Sequence, residues 1–238
     1  TSPVLDGNLL FLQCDMEEGE GSHILALDKR DGKQVWRTER KSMVTFSTPV
    51  LNKTGSRTEL ITGANENTIA YDAVTGKEIW RGPGLGGYSV PTHVMGHGMV
   101  YVNTGYPVKN TLAFKLGSEG AVKEVWTYKK GGAYITSPLL LGDHLYLSTD
   151  KGILTCLDAK TGEVKYDNGR PPAPATVFAS MVSFNNRIFL TTEDGDTYVV
   201  KPGPVFEILG KNSLEEAVHA SPAIANGAVF IRGSKHLF

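Results

Sequence analysis

Apolar residues recur along this chain in short runs of three to five, and no stretch repeats at the three-to-four spacing of a long amphipathic helix. Leu9 to Leu12, Val100-Tyr101-Val102, Leu145-Tyr146-Leu147, Ile188-Phe189-Leu190 and Val229-Phe230-Ile231 each follow a turn. Those turns are Asp6-Gly7, Gly96-His97-Gly98, Gly142-Asp143, Asn185-Asn186 and Asn226-Gly227. Runs this short, bounded by Gly, Asn and Asp, predict β-strands joined by tight hairpins. The best helical candidate, Asn212-Ser213-Leu214-Glu215-Glu216-Ala217 with Ser213 as its cap, has room for little more than one turn.

Four columns repeat in phase. Ser-Pro or a near variant opens each unit: Ser2-Pro3, Thr48-Pro49, Val90-Pro91, Ser137-Pro138, Ser221-Pro222, with Met181 at the proline position of one copy. The turn-and-strand runs above form the second column. A small residue inside an apolar strand forms the third: Ala26, Ala70, Ala113, Cys156 and Val199, at steps of 44, 43, 43 and 43. A large residue follows it by 10, 10, 13, 10 and 10 positions: Trp36, Trp80, Trp126, Tyr166 and Leu209. The longer spacing contains the extended turn Leu116-Gly117-Ser118-Glu119-Gly120. Elsewhere the turn reads Asp28-Lys29-Arg30-Asp31-Gly32-Lys33, Asp72-Ala73-Val74-Thr75-Gly76-Lys77 or Asp158-Ala159-Lys160-Thr161-Gly162-Glu163. Its first Asp can accept backbone N–H groups within the turn, and its Gly supplies the positive φ on re-entry to the sheet.

Units of roughly 40–45 residues with three to four strands predict propeller blades. The expected fold is all-β, a single β-propeller domain over 1–238 of four-stranded antiparallel blades, with five full units and the opening of a sixth. Thr1 begins at the phase that opens every unit, so the N-terminus cannot supply the outer strand that the last unit lacks, and part of a seven- or eight-bladed ring is expected. It would be incomplete at the N-terminus and unfinished in its last blade, an open arc with exposed sheet edges. The small column would leave room for a neighbouring blade's bulky ring, whose indole N–H would find a backbone acceptor.

Composition narrows the function classes. Lys plus Arg total 24 against 25 Asp plus Glu, so no basic excess points to nucleic acid. Glycine at 27 of 238 residues fits many tight turns. The apolar run Leu139-Leu140-Leu141 stops at Gly142, far short of the ~20 residues of a membrane-spanning helix. Two cysteines, Cys14 and Cys156, are too few for a disulfide framework or a four-cysteine zinc site. Cys156 stands in the small column and reads as a packed substitute for alanine.

No catalytic, cofactor-binding or metal-binding residue is assigned. There is no Gly-x-Ser-x-Gly, no P-loop and no Gly-x-Gly-x-x-Gly after a strand. Glu193-Asp194-Gly195-Asp196 reads as a hairpin turn, since the spacing of a calcium loop is absent. His93 and His97 lie four apart, but Gly96 and Gly98 make the segment a solvated turn instead of a chelating helix face. His144 is expected half exposed at a turn-to-strand step.

Loops that vary between repeats are the better candidates for function. These are the acidic insert Asp15-Met16-Glu17-Glu18-Gly19-Glu20-Gly21, the flexible Gly82-Pro83-Gly84-Leu85-Gly86-Gly87-Tyr88 and Gly105-Tyr106-Pro107-Val108-Lys109, and Gly169-Arg170-Pro171-Pro172-Ala173-Pro174, expected extended.

The pattern Ser-Pro…Gly…strand…Ala-Leu-Asp-x-x-Thr-Gly-Lys-x-x-Trp resembles the pyrroloquinoline-quinone-type (PQQ-like) β-propeller repeat. Ser47 to Trp80 and Ser137 to Tyr166 carry it best. The family includes bacterial outer-membrane assembly lipoproteins and quinone-dependent alcohol dehydrogenases. The resemblance implies tryptophans packed between blades, and a non-catalytic scaffold for a protein or polymer partner in the bacterial periplasm or at the cell surface. An alternative is a fragment of a quinone-dependent alcohol or sugar dehydrogenase, with PQQ and Ca²⁺ as cofactors. The dehydrogenases of the family use an adjacent-cysteine ring disulfide, and this sequence has no Cys-Cys pair. Another is the sensory ectodomain of a membrane-bound kinase or receptor.

Overall fold

A computed structural model of the chain describes residues 1–55, 57–84, 86, 89–107, 109–116 and 120–238. Among the described residues there is no helix; Asn212 and Ser213 end a strand, and the segment after them bends without a helical turn. The sheets fall into two compact units, Thr1–Thr127 and Tyr128–Phe238.

The first unit holds three antiparallel meanders. One comprises β1 (Val4–Asp6), β2 (Leu9–Cys14), β3 (His23–Asp28) and β4 (Gln34–Glu39). The next comprises β5 (Val50–Thr54), β6 (Arg57–Gly63), β7 (Asn67–Asp72) and β8 (Glu78–Pro83). The third comprises β9 (Val94–Gly96), β10 (Met99–Thr104), β11 (Asn110–Lys115) and β13 (Lys123–Tyr128). Between the last two strands, β12 (Gly120–Ala121) leaves its own meander and pairs in parallel with β8, Gly120 opposite Trp80 and Ala121 opposite Arg81. Of the long turn before it, Gly117, Ser118 and Glu119 lie outside the described residues.

The second unit repeats the plan. It has β14 (Leu139–Leu141), β15 (His144–Ser148), β16 (Leu154–Asp158) and β17 (Val164–Gly169), then β18 (Val182–Phe184), β19 (Arg187–Thr191), β20 (Asp196–Val200) and β21 (Ile208–Ser213). The hairpin β22 (Ala223–Ala225) and β23 (Ala228–Phe230) follows. Five four-stranded blades and a two-stranded opening of another are thus present among the described residues.

Register explains the columns. Val4, Phe11, Ala26 and Trp36 stand in one row across the first blade. Val50, Ile61, Ala70 and Trp80 do so in the second, and Leu139, Tyr146, Cys156 and Tyr166 in the fourth. The small residue therefore makes room for the large ring of its own blade, which corrects the expectation of a neighbour's ring at that point. The neighbour contributes a turn instead. The Trp36 indole N–H donates to Ala73 O at 3.0 Å, and Thr38 Oγ1 to Gly76 O at 2.6 Å. Gly76 sits at φ +72, and a Cβ there would come within 2.5 Å of the Trp36 ring, so glycine is required twice over. Leu209 departs from its column: Gly210 faces Val199 beside a bulge, and Leu209 is 42% exposed.

The turn aspartates do what their chemistry predicts. Asp72 Oδ1 accepts Thr75 N and Thr75 Oγ1, both at 2.8 Å, and Asp158 Oδ1 accepts the N and Oγ1 of Thr161 at 3.0 Å. Burial works to raise both carboxyls, but these hydrogen bonds outweigh it and hold them below the ordinary value. Asp28 is held at about 2, chiefly by the Arg30 side chain.

Hydroxyls at the blade openings join successive blades. Ser2 N donates to Thr48 Oγ1, Ser137 N to Ser180 Oγ and Ser180 N to Ser221 Oγ, at 2.9–3.2 Å. Val90 carries no hydroxyl, and there the backbone takes over: Phe46 N and Ser47 N both donate to Ser89 O.

Candidate partner-binding site

The acidic insert grows from a buried ion pair. Asp15 follows the last residue of β2, and Arg40 follows the last residue of β4. Arg40 Nε reaches Asp15 Oδ1 at 2.8 Å and Nη2 reaches Oδ2 at 2.6 Å, with side chains 1% and 0% exposed. The same guanidinium donates to Thr62 Oγ1 at 2.8 Å and Gly63 O at 2.7 Å, bracketing the first blade to the second. Gln13 Nε2 adds a hydrogen bond to Asp15 Oδ2 at 3.0 Å. A bidentate pair with two further donors of the guanidinium satisfied is the geometry in which burial is tolerated.

From this anchor the insert folds back on the blade-to-blade crossover. Met16 N donates to Ser22 Oγ at 2.8 Å, and Ser22 Oγ to Ser42 O at 2.7 Å. Gly19, at φ +80, lies so close that a Cβ would stand 3.2 Å from Ser42 O. The outcome is a cleft of about 480 Å³ whose rim includes exposed Glu18, Glu20, Lys41, Met43 and Glu66. Three carboxylates face one ammonium there, so the cleft favours a cationic occupant.

The family described as outer membrane protein assembly factor BamB matches residues 1–168 and, in a second overlapping placement, 65–236. The chain belongs to that family. BamB of Burkholderia pseudomallei (strain K96243) is 30% identical over 113 residues, 47% of this chain and 28% of the relative's own length. The crystal structure of BamB from Moraxella catarrhalis superposes with a TM-score of 0.77 at 16% identity, covering 99% of this chain and 70% of that one. At that identity it establishes the β-propeller fold.

Set within a BamB-family propeller, the other sequence candidates sort as follows. Tyr106 is 55% exposed; Leu85, Gly87, Tyr88 and Val108 lie outside the described residues. Gly169 ends β17, and the proline-rich stretch after it lines, with Lys151 and Ile153, a surface cleft of about 410 Å³. Glu193–Asp196 is a hairpin turn, with Thr192 N donating to Asp196 O at 2.8 Å and Gly195 at φ +86. His144 is half-buried and Cys156 fully buried, where burial pushes the Cys156 thiol up to about 12. Among the described residues no group of three or more His, Cys, Asp or Glu side chains is placed to hold a metal ion.

His93 does not lie in the solvated turn expected of it. Its neighbour His97 does occupy the turn, exposed and at φ +54, but His93 is 3% exposed. Burial drives its imidazole down from 6.5 to about 4. The unfolded chain takes up a proton as pH falls below 6.5, while the folded chain does so only near 4. Stability is therefore expected to fall across that window, by about 3 kcal/mol at its acid end, and to level off below it. Urea midpoints from pH 7 to pH 4 measure this slope, and His93→Gln should flatten it. An unchanged slope in the variant would assign the acid sensitivity elsewhere.

Proposed function

We propose that the chain is a non-catalytic propeller scaffold for protein interaction in outer-membrane assembly, acting in the bacterial periplasm. Membership of the BamB family carries this reading, because the match runs across both compact units. The assembly role comes from the name of the relatives, outer membrane protein assembly factor BamB, and no helix among the described residues is long and apolar enough to cross a membrane.

The docking surface in this proposal is the cleft bordered by Glu18, Glu20 and Glu66. Rigid blades hold its walls through the Asp15–Arg40 pair, and the rim side chains are free to meet a basic segment of a protein partner. The triple variant Glu18→Lys, Glu20→Lys, Glu66→Lys tests it, because exposed substitutions leave stability within about 0.5 kcal/mol. Immobilised chain should retain assembly proteins from a detergent-solubilised envelope extract, and the variant should retain them about tenfold less, since like charges now face each other. Equal retention by the two would dismiss the cleft, and no retention by the unaltered chain would dismiss the scaffold.

A further inference from the structure

Behind Gly63 three buried polar atoms converge with no hydrogen-bond partner: Ser47 Oγ, Ser89 Oγ and His93 Nε2. A Cβ built on Gly63 would stand 2.6 Å, 3.1 Å and 3.3 Å from them respectively. The three groups thus cluster over the Cα of Gly63, at a place too tight for any side chain. Ser47 is 1% exposed and His93 3%. Beside them lies a cavity of about 10 Å³, lined by Gly63, Ser89 and His93 together with Thr68, Asn103 and Thr104.

Those other polar side chains are already engaged. Thr68 Oγ1 donates to Pro83 O, Asn103 Oδ1 accepts from Thr111 Oγ1, and Thr104 Oγ1 donates to Tyr106 O. The main chain around the three atoms is held in place. Ser47 N is fixed on Ser89 O, and Gly63 O is fixed by Arg40. Buried polar groups of this kind are satisfied by protein or by ordered water, and a space of one probe sphere lined by Ser89 and His93, with Ser47 Oγ on the same side of Gly63, is what one water needs.

We infer that Ser47, Ser89 and His93 form a built site for a single structural water, which ties the start of the second blade to the start of the third. The neutral imidazole carries its hydrogen on Nε2 and donates it to the water oxygen. The water donates its own two hydrogens to Ser47 Oγ and Ser89 Oγ. This arrangement pairs the ring N–H, the donor that cannot rotate to another acceptor, and leaves Nδ1 and the two serine hydroxyl hydrogens outside it.

A crystal structure of the full chain at about 1.5 Å resolution should show one peak within roughly 2.7–3.3 Å of all three atoms. In solution the His93 ring protons should give cross-peaks to a long-lived water, and ¹⁵N shifts should report a neutral ring protonated at Nε2. Ser47→Ala removes one of the three partners and should shorten the residence of that water, weakening the cross-peak severalfold. The inference is overturned by density showing a serine hydroxyl swung directly onto Nε2, or by two solvent peaks. An unaltered protein with no long-lived water signal at His93 would also overturn it.

Discussion

Replacing Asp15 by alanine is expected to lower stability by about 3–5 kcal/mol, as removal of one partner from a buried pair does. The carboxylate is fully buried against an Arg40 side chain that is 1% exposed, so the variant strands a guanidinium whose remaining acceptors are Thr62 Oγ1 and Gly63 O. The penalty is the orphaned charge and not the lost attraction. The double variant Asp15→Ala, Arg40→Leu should therefore be more stable than Asp15→Ala alone. Urea unfolding midpoints of the two single variants and the double provide the test. A cost below about 1 kcal/mol for Asp15→Ala would mean that water reaches Arg40 and the bracket between blades is open.

Trp80→Ala should cost a similar amount, about 3–5 kcal/mol, for a different reason. The ring is 2% exposed and meets Phe114 of the following blade edge-on, with centroids 5.9 Å apart. Its N–H donates to Glu59 Oε2 at 3.3 Å, so truncation opens a cavity and also removes a donor from a buried carboxylate. Arg57 and Asn52 remain on Glu59 and limit the second effect. Val74→Ala, at a side chain 68% exposed in the adjacent turn, is the control and should change stability by under about 0.5 kcal/mol. A chemical denaturation midpoint as insensitive to Trp80→Ala as to Val74→Ala would remove the inter-blade role of the indole.

The parts of this architecture that could be read from the residues are those encoded locally. Asp72, Thr75 and Gly76 lie within five residues, and their hydrogen bonds and positive φ follow from side-chain chemistry at that spacing. The 43-residue step of the small column carries register, because strands pair with period two and a slip of one would turn Ala70 away from Trp80. Candidate-site features were less legible because they join distant positions. The insert at 15–21 was visible as an interruption of the repeat, but its anchor Arg40 is 25 residues away and charged residues are usually exposed.

His93 shows the opposite failure. Glycines at 96 and 98 do mark a turn, but the turn belongs to His97, and His93 already points inward beneath Gly63 of the preceding blade. No period links positions 47, 63, 89 and 93, although the absence of a side chain at Gly63, at the end of an otherwise bulky strand, was a signal. Trp80 also departs from the expected backbone acceptor: a carboxylate from its own blade, Glu59, serves instead.

The two-residue strand Gly120–Ala121 has a consequence for how this molecule behaves at high concentration. Laid along β8, it occupies a stretch of main-chain donors and acceptors on the outside of the second blade. Lateral polymerisation by that rim is obstructed where the cap sits. The outer strands β4, β17 and β21 have no such cover among the described residues and present Arg37 and Glu39, Lys165, and Lys211 instead, so their resistance to fibre-like stacking is electrostatic and weakens as salt rises.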